Sequence, residues 1–187
     1  MEKSKITIEK FKKVFLSSVI KEDGNYIDYD SDRCFTKIVE DSMKKLGEEC
    51  QVLYSSEFYS VDHTFWDSSS NDELSNELAV GMKKYNWSLL ALIEHENNSN
   101  DWHYEVQKLA PFHCSLRVVI GYRSAKYKDE DRLEYVSGLL QTMKEIGCFC
   151  DEGEFWVVIG NCGKGKANYL FYRYDCDSRK FVRKEFN

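Results

Sequence analysis

Proline is almost absent from the sequence: Pro111 is the single one in 187 residues. Nothing in the composition therefore breaks long helices and strands or builds a stiff Pro-rich linker. Long apolar runs are missing too. The charged start, Met1 to Lys5, leads directly into a helical pattern, with no stretch long enough for a signal peptide or a membrane span. The expectation is a cytoplasmic protein with no membrane partner. Basic charge is in short supply as well. Lys and Arg number 26 against 32 Asp and Glu, a net charge of −6. There is no general attraction for a phosphate backbone, so contact with nucleic acid would need a local basic patch or a bound metal.

The seven cysteines (Cys34, Cys50, Cys114, Cys148, Cys150, Cys162 and Cys176) lack the paired CxxC knuckles of a strong zinc site. Being odd in number and scattered through predicted elements, they read as free, mostly buried thiols. No HExxH pair is present. Gly160-Asn161-Cys162-Gly163-Lys164-Gly165-Lys166 lacks the Walker spacing and its terminal Ser or Thr, and a strand pattern follows it, so it reads as a hairpin turn. Arg123, Lys126 and Lys128 form a second short basic group, of the kind that usually only solvates a surface.

What is present is enough apolar material for one core. An apolar share of 42% with 14% aromatic residues excludes a disordered chain, and residues 1–187 read as a single domain. Ile8, Phe11, Phe15 and Val19 recur at helical spacing. So do Phe35, Ile38, Val39, Met43 and Leu46, entered from Asp30 and Ser31 and closed by Gly47.

Val52 to Tyr54, Phe58 to Trp66 and Ser88 to Asn97 read as strands, with a helical insertion around Leu74, Leu78, Met82 and Tyr85. A helix carrying Trp102, Val106 and Leu109 follows, with Asp101 as its expected cap and Pro111 past its end, before a strand from Leu116 to Tyr122. Leu133, Val136, Leu140 and Met143 mark the last helix, ending at Gly147. Glu154 to Gly160, Tyr169 to Tyr174 and Phe181 to Phe186 then form a β-meander. The fold class is α/β (α+β mixed), a central mixed β-sheet flanked by helices.

Chemistry concentrates in the acids. Strand alternation sets Asp62 on a face with Ser60 and Thr64, in mid-strand. The apolar run Leu89-Leu90-Ala91-Leu92-Ile93 continues into Glu94-His95-Glu96-Asn97, which puts Glu94 and Glu96 on one face roughly 7 Å apart along a strand. Like charges crowded at a core edge raise one another's pKa and weaken the fold unless a cation binds or some take up protons. Oxygen ligands with water suit Mg²⁺ or Mn²⁺. By the same alternation His63 faces away from Asp62 and His95 away from Glu94, so these histidines read as packing or surface residues rather than metal ligands.

In this segment the chain resembles the PD-(D/E)xK nuclease superfamily, whose pattern is an acid on one strand, an acid-x-Lys on the next, then a helix and a further strand. The resemblance covers roughly Phe58 to Tyr122, with the opening helices as an extension. Asp62 matches the first acid and Glu94 the second, while Glu96 stands in the place of the motif lysine. Certain restriction endonucleases of the family carry Glu there. In other members the lysine has moved onto the following helix, where this sequence has Lys108.

The resemblance implies a restriction endonuclease-like core and Mg²⁺ or Mn²⁺ held by Asp62 and Glu94. Glu96 would act as a further ligand or base and Lys108 as the substitute lysine, in the hydrolysis of DNA or RNA. The competing class is a non-enzymatic binding or regulatory protein, on a degenerate nuclease-like or an unrelated α/β fold. The acidic charge and the missing lysine favour that class.

Overall fold

The structure is a computed structural model that describes residues 6–27, 32–58, 60–67, 89–161 and 166–186. The expected helical insertion around Leu74, Leu78, Met82 and Tyr85 lies outside these residues. Among the described residues the order is α1 (Ile8–Val19), α2 (Asp32–Cys50), β1 (Leu53–Phe58), β2 (Val61–Trp66), β3 (Leu89–His95), α3 (Trp102–Leu109), β4 (Leu116–Tyr122), α4 (Asp129–Glu145), β5 (Glu154–Gly160), β6 (Tyr169–Asp175) and β7 (Lys180–Lys184). The fold is mixed α/β, as the sequence pattern implies.

The seven strands form one sheet in chain order. β1, β2 and β3 are antiparallel; β3, β4 and β5 are parallel; β6 and β7 return antiparallel. A parallel neighbour requires a crossover, and α3 and α4 supply the two that are needed. Alternation along the central strands divides the core. Val118, Ile120 and Ile93 face Phe11, Phe15, Val39 and Met43 of α1 and α2. Val119, Leu92 and Val157 face Val106, Leu109, Val136 and Leu140 of α3 and α4. Residues that are neighbours in sequence are thus assigned to opposite layers by the period of two.

β3 stops at His95 and leaves Glu96 outside the strand, β7 spans Lys180–Lys184 rather than running to Phe186, and two further boundaries differ from the sequence expectation for identifiable reasons. α2 runs through Gly47 and ends at Cys50, and the left-handed residue that turns the chain is Gln51 at φ 55°. Gly47 lacks a side chain for a packing reason: a Cβ there would stand 3.1 Å from the Cβ of Tyr54. The expected strand Phe58 to Trp66 is two strands. Glu57 and Ser60, at φ 54° and 61°, turn the chain so that β2 begins at Val61. Asp62 is consequently the second residue of a hairpin strand rather than a mid-strand carboxylate, and Ser60 belongs to the turn. Neither turn residue is Gly or Asn, which is why the hairpin escaped the usual turn signals.

A close approach fixes α3 on the sheet. A Cβ on Gly121 would stand 2.6 Å from Trp102, so glycine in β4 lets the fully buried Trp102 side chain approach the strand closely. Asp101 occupies the N-cap position of α3 but makes no capping bond; its carboxylate is taken by Asn98 instead.

Candidate functional site

Asp62 and Glu94 come together because β2 and β3 are antiparallel neighbours. His63 pairs with Ile93, and the same register carried one step sets Asp62 across from Glu94. The backbone N–H of Asp62 donates to Glu94 Oε2 at 3.4 Å, and the N–H of His95 donates to Asp62 Oδ2 at 2.9 Å. Two acids directly opposite on adjacent strands repel unless a cation stands between them.

One cation arrives from α3. Lys108 Nζ lies 2.8 Å from Glu94 Oε1 and 2.5 Å from Glu105 Oε2, and it donates to the Ser60 carbonyl at 2.8 Å. Glu105 and Lys108 share a helical face by their three-residue spacing. The β1–β2 turn brings the Ser60 carbonyl to the same point. Burial lowers the Lys108 ammonium's affinity for its proton, but the bonds to Glu105 and Glu94 outweigh this and raise its pKa.

Glu94 is 1% exposed. Burial first, and then the charge of Asp62, push its carboxyl up to about 9 even with Lys108 beside it. The carboxyl therefore keeps its proton at neutral pH unless further positive charge comes close.

The other face of the same two strands is differently furnished. His63 Nδ1 is 3.0 Å from the Tyr54 hydroxyl, and His95 Nε2 is 2.9 Å from that of Tyr122. Phe35 of α2 packs against both His95 and Tyr122. Burial pushes His63 down to about 4, against the pull of Asp62, and pushes His95 down to about 4 as well. Both are neutral packing residues on the side of the sheet away from Glu94. Alternation had assigned them there, but their tyrosine partners carry no signal in the sequence.

Glu96 lies beyond the end of β3. Its Oε1 accepts from the Asn98 N–H at 2.6 Å. With Asp62, His63, His95, Thr36 and Asn97 it lines an open cavity of about 450 Å³. The sequence-based candidates thus fall into two groups that meet at Asp62: Glu94 and Lys108 toward α3, and Glu96 on the cavity. The third acid, the half-buried Glu105, is a member that sequence reasoning missed; its spacing from Lys108 was the available signal.

Among the described residues, no group of three or more His, Cys, Asp or Glu side chains is gathered as a metal cage. A hard cation that keeps most of its water needs fewer protein ligands, and one or two carboxylates suit Mg²⁺. Asp62 and Glu94 fit that requirement: one buried carboxyl has its proton affinity raised by the other's charge, and a divalent ion would relieve both. Cys50, Cys114, Cys148, Cys150 and Cys176 carry free thiols, but of these only Cys50 and Cys114 are buried, where the sequence suggested burial of such thiols.

No family model and no curated protein match the sequence. Among solved structures, the central domain of yeast acetyl-CoA carboxylase is similar at a TM-score of 0.48 and 12% identity, over 94% of this chain and 34% of that one. The chain thus spans about a third of that structure's length. A similarity of this degree carries no argument about chemistry.

Proposed function

We propose that the protein hydrolyses phosphodiester bonds of nucleic acid with the help of Mg²⁺ or Mn²⁺, at a site built on Asp62, Glu94 and Lys108. The observation that carries the reading is the reach of Lys108 from α3 to within 2.8 Å of a buried Glu94 that stands opposite Asp62. The motif position of the lysine is occupied by Glu96, yet an ammonium stands at the second acid all the same. The order of elements that holds these residues, an acid-bearing strand, its antiparallel neighbour with the second acid, a helix and a parallel strand, supports the PD-(D/E)xK reading.

When bound, the ion would polarise a phosphoryl oxygen and lower the pKa of a coordinated water. Asp62 and Glu94 would hold it. Lys108, fixed by Glu105 and the Ser60 carbonyl, is free to turn its charge from Glu94 to the phosphate once the ion satisfies the carboxylates. Glu96, on the cavity beside Asp62, is available to take the proton of the attacking water.

The non-enzymatic alternative has one observation of its own: the Lys108 ammonium already stands against Glu94 and Glu105, as in a site that has replaced its metal with an internal cation. The two readings separate in a cleavage assay. Purified protein is incubated with single- and double-stranded DNA and with RNA, in Mg²⁺, Mn²⁺ or chelator, beside identically purified Asp62→Ala and Glu94→Ala. Metal-dependent cleavage that both folded variants lose is the expected result. Cleavage that persists in the variants is contamination and, like no cleavage at all, moves the assignment to the binding protein.

A further inference from the structure

A second cavity, of about 540 Å³, opens where the N-termini of α3 and α4 come together. Its walls carry three exposed aromatic rings: Tyr104 is 59%, Tyr127 46% and Tyr135 61% accessible. These rings are held in an arrangement rather than left loose. His103 lies against Tyr104 with ring centroids 4.2 Å apart and meets Tyr135 edge-on at 5.8 Å. Ser124 donates to Asn100 Oδ1 at 2.8 Å, which ties the β4–α4 loop to the β3–α3 loop across the cavity.

Two cations share this wall. Lys126 Nζ sits 4.9 Å from the centre of the Tyr127 ring. Arg132 is 7% exposed; it lies over Trp102 at 4.3 Å and donates one terminal nitrogen to the Ser99 carbonyl, while the other, Nη2, is buried and meets no acceptor. Two acids line the same cavity, Asp131 and Asp101, the latter with its carboxylate held by Asn98.

We infer that this cavity binds a nucleotide unit of a single-stranded nucleic acid, stacking its base on Tyr104 and Tyr135 and taking the adjoining phosphate on Lys126 and Arg132. The inference rests on the proposed phosphodiesterase reading for its choice of ligand. Exposed rings offer a base its π-face without demanding a particular base, the usual arrangement for single strands. A guanidinium with an idle N–H and a nearby ammonium complement the phosphate, in a chain whose net charge otherwise repels it. Asp131 suits the exocyclic amino group of an unpaired base. A duplex keeps its base faces stacked and could not enter. The loop 96–101 connects the two sites directly: it leaves β3 beside Glu94 and Glu96 and ends at Asn100 and Asp101 on the cavity. A strand bound in the cavity would therefore lead toward the acids.

The test is fluorescence polarisation of end-labelled single-stranded DNA and RNA oligonucleotides with the whole protein in chelator, where nothing is cleaved. Tyr104→Ala and Tyr135→Ala should each weaken binding roughly five- to hundredfold. Tyr104→Phe, which keeps the ring, should bind within about twofold of the parent. Circular dichroism checks that the variants are folded, as expected for side chains this exposed.

Failure of the parent to bind any single strand, or binding that the Ala variants leave unchanged, would each overturn the inference. Since binding is read in chelator and cleavage through Asp62 and Glu94, either site can fail while the other stands.

Discussion

The two faces of β3 solve the same problem in opposite ways. Both carry polar side chains at the strand's end, at consecutive positions, and both are buried: Glu94 at 1% and His95 at 8% exposure. On the α2 side, His95 and His63 shed their charge and each meets a tyrosine hydroxyl, so that face holds no charge in need of a counter-ion, although His95 Nδ1 is buried without a partner. On the α3 side, two acids oppose each other, and one lysine, shared with a third acid, compensates them incompletely. A buried polar pair that is satisfied stabilises a fold, whereas a cluster left short of positive charge has a standing affinity for a cation.

Breaking the compensated pair should have the largest effect. Lys108→Ala removes the ammonium that Glu94 and Glu105 share and should cost about 2 kcal/mol, since Glu94 keeps its proton at neutral pH and it is the part-exposed Glu105 that loses its counter-charge. Urea unfolding in chelator measures it, and an excess of Mn²⁺ should restore part of the loss.

The pH dependence sharpens the contrast, because the two faces have opposite signs. The raised Glu94 carboxyl contributes stability that is full below its unfolded value of 4.5 and is lost as pH rises through about 9. The depressed histidines contribute stability that is present above 6.5 and is lost as pH falls through about 4. From pH 9 down to 6.5 only Glu94 acts, and stability climbs. Below 6.5 two histidines oppose one carboxyl, and it falls. These three groups together predict a maximum close to pH 6.5, with about 2 kcal/mol lost by pH 4.5. Thermal melts across that range test it. In Glu94→Gln the alkaline decline should flatten while the acid decline remains.

Smaller effects belong to the tyrosines of the histidine face. Tyr122→Phe withdraws the hydroxyl from His95 Nε2 inside the core and should cost about 1.5 kcal/mol. Tyr54→Phe, at the half-buried His63 bond, should cost below about 1 kcal/mol. Neither should alter metal-dependent cleavage. If either abolishes it in a folded protein, the histidine face takes part in the chemistry and the contrast fails.

How much of this could be read from the sequence depends on what each feature rests on. β4 and α3 are visible because a continuous apolar run and a helical stripe are local patterns, and the Glu94/His95 division follows from alternation alone. The β1–β2 hairpin was hidden because its turn residues, Glu57 and Ser60, adopt left-handed conformations without the glycine that would announce them. Gly47 misled in the reverse direction, since it is small for the sake of Tyr54 and not to end a helix. At the site, the pairing of Asp62 with Glu94 could be proposed from two strands, but the approach of Lys108 depends on how α3 crosses the sheet. That path is set by Trp102 lying on Gly121, a contact no local pattern encodes.

The central claim is that Asp62 and Glu94 together hold a divalent ion, and the most direct test is Mn²⁺ binding followed by the loss of the free-ion electron paramagnetic resonance signal. About one ion per chain is expected, with binding lost in both Asp62→Asn and Glu94→Gln while the fold is retained. No binding by the parent, or binding that either variant leaves undiminished, would contradict it.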